Sequence, residues 1–425
     1  MESLFNGGRA TARLTKLRVL LAVTVAACLS CGASYAQQTD AEVEYVNPDP
    51  KTGTSQATVV GDVPLAHTDQ FLPLDAEGEL VEGGARQQID RVLENLRLAL
   101  SEVGTGLKDI AKINVYAAQN DVVQQVKEQF AETFSGEAKP AVAYMVGRLP
   151  RSNALVAMDA VAAGASPEDQ ALRAPATYQG GRLPGAGKQG DVAVMPRGET
   201  VYVSGQADLE EENLLEAVRG TMQSLHATLA YQGLSAEDVV QVKAFIRPVE
   251  QAQKVERVIA EYYQDKLVPP VVSVEWLHGG LPTEIELIAS SGAASNQQAS
   301  SQVLSFITPP GMSSASTFSR MAQVHRGDLV YTSGLYGPCS QSAEEQVRTI
   351  FDKLGGVLEK TGSDFERLAK ATYYYTTDAA SEQLNEIRPE FYNPKRPPAA
   401  SKIVVRGVGK EGCSVTTDMI AVSPD

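Results

Sequence analysis

The stretch Gly233-Leu-Ser-Ala-Glu-Asp-Val-Val-Gln-Val-Lys-Ala-Phe245 joins a helix-patterned run to a strand-patterned one. Two related stretches are Gly104-Thr-Gly-Leu-Lys-Asp-Ile-Ala-Lys-Ile-Asn-Val-Tyr116 and Gly362-Ser-Asp-Phe-Glu-Arg-Leu-Ala-Lys-Ala-Thr-Tyr-Tyr374. Their opening glycines are spaced by 129 residues in both intervals. Similarity at a fixed period indicates copies of one structural unit. The sequence therefore predicts one domain present three times.

A predicted helix precedes each stretch, and its apolar side recurs in all three copies. In the second copy the apolar residues Val218, Met222, Leu225 and Leu229 are spaced by four, three and four positions. This spacing places them on one helical face. The equivalent residues are Ile89, Leu93, Leu96 and Leu100 in the first copy and Val347, Phe351, Leu354 and Leu358 in the third. We interpret these faces as core.

Each copy has the predicted element order β-β-α-β-α-β-β, an α+β unit whose helices cover one face of a sheet. The other face is also apolar, as in Val201-Tyr-Val203 and Leu329-Val-Tyr331. Since a sheet with two apolar faces must cover both, we expect the copies to pack on one another. The predicted repeats are 57–164, 188–290 and 316–425, with linkers at 165–187 and 291–315 and a flexible lead-in at 37–56.

Charge excludes some classes of partner. The chain of 425 residues carries a net charge of −15 at neutral pH. Binding to a phosphate backbone needs clustered lysine and arginine. We therefore expect no nucleic-acid partner.

The N-terminus has the pattern of an export signal at residues 1–36. A positive region ending at Arg18 precedes a short apolar run, and Ser34-Tyr-Ala36 offers a small-residue cleavage site. The alternative is a lipoprotein anchored through a lipidated Cys28. Either reading predicts a periplasmic or extracellular protein.

Two cysteines, Cys339 and Cys413, lie outside this segment, both in the third copy. In an oxidising compartment they could form a disulfide, but the sequence does not show that they meet, and the alternative is two unpaired thiols.

The repeated motifs resemble the RidA/YjgF family. The resemblance rests on Thr200-Val-Tyr-Val-Ser-Gly-Gln206, on Leu329-Val-Tyr-Thr-Ser-Gly334, on the proline-led strand of each copy and on Glu284-Ile-Glu-Leu-Ile288. The first copy has Thr68-Asp-Gln70 where the family has Ser-Gly-Gln. The family has a chorismate-mutase-like fold and forms trimers with a central β-barrel and clefts between neighbours. The resemblance therefore implies an intramolecular pseudo-trimer, a monomer that needs no second chain.

The resemblance implies a chemistry that the sequence keeps only in part. Active members hydrolyse reactive enamines and imines to keto acids and ammonia, without a cofactor or metal. An arginine after the leading proline holds the substrate carboxylate, because a guanidinium offers a two-pronged contact. The matching positions here are read as Val142, Val272 and Ala400, so all three copies lack it.

The remaining family site residues are divided among the copies. The carboxylate of the closing strand persists only as Glu284, since the other copies have Ala157 and Thr416. The helix asparagine persists only as Asn385, against Lys127 and Glu256. We predict Glu284 as the catalytic residue. Predicted substrate-binding residues are Lys402, Asn385, Ser204 and Ser333, with Lys402 supplying a point charge in place of the arginine.

Two functions remain open from the sequence. The first is a diverged imine or enamine deaminase with one working cleft. The second is a non-catalytic pseudo-trimer that binds a small ligand between repeats, which the missing arginine favours. Ribonuclease activity, a third property of some relatives, is disfavoured by the acidic charge.

Overall fold

The three repeats follow the predicted element order. The computed structural model describes residues 43–166, 172–180, 188–292, 302–313 and 315–424. The predicted export segment with Cys28, residues 37–42 of the predicted lead-in and parts of both linkers lie outside these residues. Among the helices described, none is long and apolar enough to cross a membrane.

The first part of the chain contains β1 and the elements of repeat 1. These are β1 (Val43–Val46), β2 (Ala57–Val60), β3 (Leu65–Thr68), α1 (Ala85–Glu102), β4 (Ile110–Ala117), α2 (Asn120–Thr133), β5 (Ala141–Val146) and β6 (Val156–Ala163).

Repeat 2 has the same order after one additional strand. Its elements are β7 (Ala176–Tyr178), β8 (Val192–Met195), β9 (Glu199–Gln206), α3 (Leu214–Tyr231), β10 (Val239–Ile246), α4 (Ala252–Ala260), β11 (Val271–Glu275) and β12 (Thr283–Gly292).

Repeat 3 again begins with an additional strand. Its elements are β13 (Leu304–Ile307), β14 (Met321–Val324), β15 (Asp328–Thr332), α5 (Ala343–Lys360), β16 (Leu368–Tyr375), α6 (Asp378–Phe391), β17 (Ala399–Val404) and β18 (Val415–Ser423).

The turn in the opening stretch needs glycine in every repeat. Gly104, Gly233 and Gly362 follow the first helix of their repeats with φ values of 75°, 72° and 70°. These values lie in the left-handed region, which glycine enters without a steric cost and which often ends helices. The turn then leads through one short helical turn into β4, β10 or β16, so the 129-residue period marks a real repeated turn.

The strands form three six-stranded mixed sheets, and each sheet takes strands from two repeats. The orders are β5-β4-β6-β3-β8-β7, β11-β10-β12-β9-β14-β13 and β17-β16-β18-β15-β2-β1. The first strand of each repeat therefore lies in the sheet of another repeat. Strands β7 and β8 complete the sheet of repeat 1, β13 and β14 that of repeat 2, and β1 and β2 that of repeat 3.

The three sheets are joined in a ring. One parallel bridge links each pair of sheets, at Ser55–Ala141, Gln189–Val268 and Ser319–Ala399. The sheet faces opposite the helices bury one shared cluster with members from all three repeats, including Val161, Tyr202 and Ile420. The second apolar faces thus cover one another, as predicted, and single bridges join the sheets around the central core.

Buried ion pairs cross between repeats at this centre. Lys112 contacts Asp418 at 2.7 Å, and Lys370 contacts Glu286 at 2.8 Å. Because a buried charge without its partner is strongly unfavourable, such pairs fix which strands of neighbouring repeats lie side by side.

The structure shows whether the two cysteines of repeat 3 are paired. Cys339 and Cys413 form a disulfide that closes a separation of 74 residues within repeat 3.

Candidate functional site

Each junction between repeats forms a cleft, and the one between repeats 2 and 3 is open. This 2–3 cleft is a cavity of about 590 Å³. It contains three residues that the sequence predicted separately, Glu284, Asn385 and Lys402. Its other lining residues include Gly205, Trp276, His278, Phe318, Arg320, Tyr375, Ser381, Arg388 and Ser401.

Glu284 supplies the acid of the 2–3 cleft. It lies near the start of β12, opposite Phe245 of β10. Burial, reinforced by the neighbouring Glu286 carboxylate, raises the pKa of Glu284 to about 8. The side chain is therefore mostly protonated at neutral pH and is able to donate a proton.

Gly205 makes room for this carboxyl group. A Cβ at position 205 would lie 2.0 Å from Glu284 Oε1 and 2.6 Å from Ser401 Oγ. Any side chain at this position would displace Glu284, so the glycine of the Ser-Gly-Gln motif is required by the close approach.

Lys402 and Asn385 act as a pair. Lys402 Nζ donates to Asn385 Oδ1 at 3.0 Å and to Ser381 Oγ at 2.9 Å. Burial, together with the nearby guanidinium of Arg388, lowers the pKa of Lys402. The β17 lysine and the α6 asparagine therefore place one fixed cation in the cavity wall.

Two arginines that the sequence analysis missed also line the 2–3 cleft. Arg320 precedes β14, and its Nε and Nη2 each donate to Ser313, at 2.7 Å. Arg388 of α6 donates from Nη2 to Asn385 Oδ1 at 2.8 Å. Its spacing of three residues from Asn385 was a usable signal, because such residues are neighbours on a helix surface. Arg320 had no comparable signal, since it reaches the cleft on the strand exchanged between repeats.

Aromatic side chains form the apolar wall of the same cavity. Trp276 and His278 pack with ring centroids 4.6 Å apart. His278 Nδ1 accepts the backbone N–H groups of Gly280 and Leu281 at 3.1 and 2.8 Å. This leaves the other ring nitrogen as the protonated one, and burial lowers the pKa of His278, so the neutral ring is favoured.

The predicted serines hold neighbouring repeats together. Ser204 Oγ donates to the carbonyl oxygen of Ser319 and accepts the Ala400 N–H at 2.7 Å. Ser333 Oγ makes the same two kinds of contact, donating to the carbonyl oxygen of Ser55 and accepting the Val142 N–H. Both hydroxyl groups are therefore already engaged by backbone groups.

The strand register corrects two of the residue equivalences that were read from the sequence, one in repeat 2 and one in repeat 1. Val142, Val271 and Ala400 occupy the same register position, opposite Ile113, Val242 and Ala371. The family's arginine position in repeat 2 is thus Val271 and not Val272, because Pro269-Pro270 adds a residue before the strand.

The second change concerns repeat 1. The Val271 N–H donates to Asp69 Oδ1 at 3.0 Å, as the Ala400 N–H does to Ser204. Asp69 therefore stands at the serine position, and Gln70 stands at the position of Gly205.

The 1–2 cleft, between repeats 1 and 2, is a smaller cavity of about 130 Å³. Its lining residues include Asp69, Gln70, Asn95, Arg151, Asp191 and Glu256. Ala157 replaces Glu284 at the equivalent position, opposite Tyr116 of β4. Its chemistry therefore differs from that of the 2–3 cleft.

The 3–1 cleft, between repeats 3 and 1, is filled by side chains. Tyr144 occupies the register position of Lys402, and Lys127 Nζ lies 5.0 Å from the centroid of its ring. A segment of repeat 3 covers this cleft, where Gly407 pairs with Val146. No group of three histidine, cysteine or acidic side chains suited to a metal ion occurs in the described part of the chain.

Comparison with known proteins agrees with the repeated fold. The endoribonuclease L-PSP family model matches residues 43–164, 190–291 and 311–423. A RutC family protein of Pyrococcus abyssi is 38% identical over 117 residues, which are 27% of this chain and 89% of the relative. Protein DfrA of Myxococcus xanthus is 28% identical over 109 residues, covering 25% of this chain and 82% of the relative. A putative endoribonuclease structure from Thermotoga maritima is 28% identical, with a TM-score of 0.22, and covers 28% of this chain and 96% of that one.

Proposed function

Because the chain belongs to the endoribonuclease L-PSP family, which includes the RidA/YjgF proteins, we propose that its 2–3 cleft hydrolyses small carboxylate-bearing enamines or imines. The observation that carries this proposal is the shared cavity of Glu284 with Arg320, Arg388 and Lys402. None of these three cations occupies the position of the family arginine, which is Ala400 in this cleft. Together they supply the positive charge that a substrate carboxylate needs.

The reaction requires one proton donor that afterwards acts as a base. Protonated Glu284 gives its proton to the terminal carbon of the enamine, which becomes the imine. Water then adds to the carbon of the C=N bond while the Glu284 carboxylate takes a proton from it. In the carbinolamine that results, Glu284 returns a proton to the amino nitrogen and then takes the hydroxyl proton, so breaking the C–N bond releases ammonia, leaves the keto acid and restores protonated Glu284. A carboxyl pKa of about 8 suits both halves of this cycle near neutral pH.

Recombinant protein mixed with 2-aminoacrylate generated in situ tests the proposal through the rate of pyruvate release. We expect acceleration over spontaneous hydrolysis and a loss of roughly a hundredfold in Glu284→Gln. Lys402→Ala is expected to raise KM. Thr416→Val is the matched control, because Thr416 occupies the position of Glu284 in the filled 3–1 cleft. Absence of acceleration by the wild type would exclude this reaction.

The second candidate function is ligand binding without catalysis. It is favoured by Val142, Val271 and Ala400, which leave every cleft without the family arginine. A keto acid that binds the 2–3 cleft with unchanged affinity in Glu284→Gln, in a protein without hydrolytic activity, would support this alternative.

Export of a self-contained monomer is also proposed, on the pattern of residues 1–36 and on the three repeats. Fractionation of cells and the mass of the mature N-terminus test it. A lipid-modified Cys28 would identify the anchored form, and an uncleaved cytoplasmic chain would contradict export. A molar mass of one chain in light scattering tests the monomer.

A further inference from the structure

The 1–2 cleft carries acidic groups where the 2–3 cleft carries cations. Three carboxyl groups line it, those of Asp69, Asp191 and Glu256. The arginine in its lining, Arg151, is directed to Glu79, with Nη2 to Oε2 at 3.4 Å. The cavity is therefore lined by hydrogen-bond acceptors, and its carboxyl groups outnumber its cations.

Two polar atoms in the same lining, Gln70 Nε2 and Asn95 Oδ1, have no hydrogen-bond partner among the described residues. Gln70 is 8% exposed and Asn95 is 1% exposed. Both atoms are buried. The Asn95 amide is oriented by its Nδ2, which donates to the carbonyl oxygens of Leu72 and Leu74 at 3.1 Å. Buried polar groups normally have partners, so the cavity wall offers one acceptor and one donor to a ligand.

We propose that the 1–2 cleft binds a short amino alcohol as its ammonium form. The ammonium group lies between the Asp69 and Glu256 carboxylates and donates to Asn95 Oδ1. The hydroxyl oxygen accepts from Gln70 Nε2. The cavity of about 130 Å³ is slightly smaller than a cavity of roughly 150 Å³ that holds benzene, so it admits a ligand of about four to six non-hydrogen atoms.

The geometry of Asp69 leaves one oxygen for such a ligand. Asp69 Oδ1 accepts from Gln189 Nε2 at 2.7 Å and from the Val271 N–H at 3.0 Å. A carboxylate has a second acceptor oxygen, and a serine at this position would not. The aspartate therefore keeps the structural contact of Ser204 and adds a charge to the cleft.

The carboxyl groups of the 1–2 cleft hold protons that a bound cation would displace. Burial raises the pKa of Glu256 to about 7, against the opposing charge of Arg257. Burial also raises the pKa of Asp69, with Glu256 and Asp191 adding to the effect, and burial raises the pKa of Asp191 to about 6, despite the Gly180 N–H and with Glu102 nearby. Since the ammonium group favours the carboxylate forms, binding tightens as pH rises through 7 and releases protons.

Calorimetric titration of the full chain with ethanolamine tests the proposal. Measurements at about pH 6 and about pH 8 are expected to differ by about tenfold in affinity, as one carboxyl of pKa near 7 deprotonates. Two buffers of different ionisation enthalpy give the number of protons released. Ethylene glycol, of similar size and without charge, is expected not to bind.

Variants assign the binding to the cleft. Glu256→Gln is expected to weaken ethanolamine binding about tenfold or more and to remove most of the proton release. Asp69→Asn keeps an acceptor for the Val271 N–H and is expected to weaken binding similarly, so either variant suffices if the other does not fold. Glu359→Gln, an exposed carboxylate on α5, is the charge-matched control. No saturable binding, equal binding of ethylene glycol, or wild-type affinity in both cleft variants would overturn the proposal. None of these results depends on the reaction in the 2–3 cleft.

Discussion

The 2–3 cleft and the 1–2 cleft occupy equivalent junctions but have opposite chemistry. In the first, Gly205 leaves space that Glu284 fills, and Arg320, Arg388 and Lys402 surround it. In the second, Gln70 stands at the glycine position and Ala157 at the glutamate position. The large side chain therefore comes from the opposite strand of the cleft. The helix stripes and the shared core are apolar in every repeat.

This difference shows which part of the fold is constrained. Core residues contact many neighbours, so a change in volume is costly there. Residues at the clefts contact a neighbouring repeat on one side and open space on the other. Side chains there can therefore differ without disturbing the core, and the two clefts differ at several equivalent positions, among them Asp69 against Ser204 and Glu256 against Asn385.

The largest effect is expected in the filled 3–1 cleft, where the disulfide lies in the covering segment. Replacing both Cys339 and Cys413 by serine is expected to lower the free energy of unfolding by about 4 kcal/mol, for a separation of 74 residues. Urea denaturation of the wild type and the variant measures this difference in the free energy of unfolding. If the clefts are independent, activity in the 2–3 cleft stays at the wild-type level in the folded variant. Loss of that activity would show that the junctions are coupled.

Gly205→Ala is the next test, because it adds one methyl group under Glu284. The new Cβ would lie 2.0 Å from Glu284 Oε1, so we expect kcat/KM for 2-aminoacrylate to fall about a hundredfold. Gly334→Ala makes the same change in the 3–1 cleft, where the nearest atom is Thr416 Oγ1 at 3.2 Å. Activity is expected to be unaffected there. Equal losses in both variants would contradict a single working cleft.

Arg320→Gln tests the cation that arrives on the exchanged strand. Removing one of the charges that hold the substrate carboxylate is expected to raise KM about tenfold with a smaller change in kcat. Arg348→Gln, which changes an exposed arginine on α5, is the control. An effect confined to kcat would assign Arg320 to the chemical step instead.

The smallest expected effect is that of pH, and it compares the two clefts most directly. Hydrolysis in the 2–3 cleft and amine binding in the 1–2 cleft are expected to change in opposite directions as pH rises. Hydrolysis needs protonated Glu284, so kcat/KM should fall above about pH 8. Amine binding needs the deprotonated form of Glu256, so affinity should rise through about pH 7. Rate and calorimetric profiles between about pH 6 and pH 9 measure both. Parallel profiles would mean that at least one of the two groups is misassigned.

The sequence predicted the parts of this molecule that depend on local pattern. The helix stripes, the glycine turns and the element order follow from spacing within one repeat. The strand exchange does not, because a strand presents the same alternation whichever sheet it enters, and its partner is chosen by packing far along the chain. The equivalence of Asp69 with Ser204 was missed for a related reason. Strand register, and not sequence similarity, decides which side chain accepts the hydrogen bond from the Val271 N–H.

Some residues of the candidate site could be proposed from single positions in the sequence. Glu284, Asn385 and Lys402 were found by their positions on the closing strand, the second helix and the proline-led strand, and the fold brings them into one cavity. Arg320 was not found, because its sequence neighbourhood belongs to repeat 3 while the sheet it enters belongs to repeat 2.

The placement of β1 and β2 limits how such a chain can evolve in length. These strands precede repeat 1 in the chain or open it, and they complete the sheet of repeat 3, so one edge of every sheet is supplied by strands from outside its own repeat. Deleting or inserting one whole copy would keep the numbers of donated and received strands equal, but it would change the number of junctions around the shared core. The number of copies is therefore held fixed by the geometry of closure, while the composition of each cleft remains open to change.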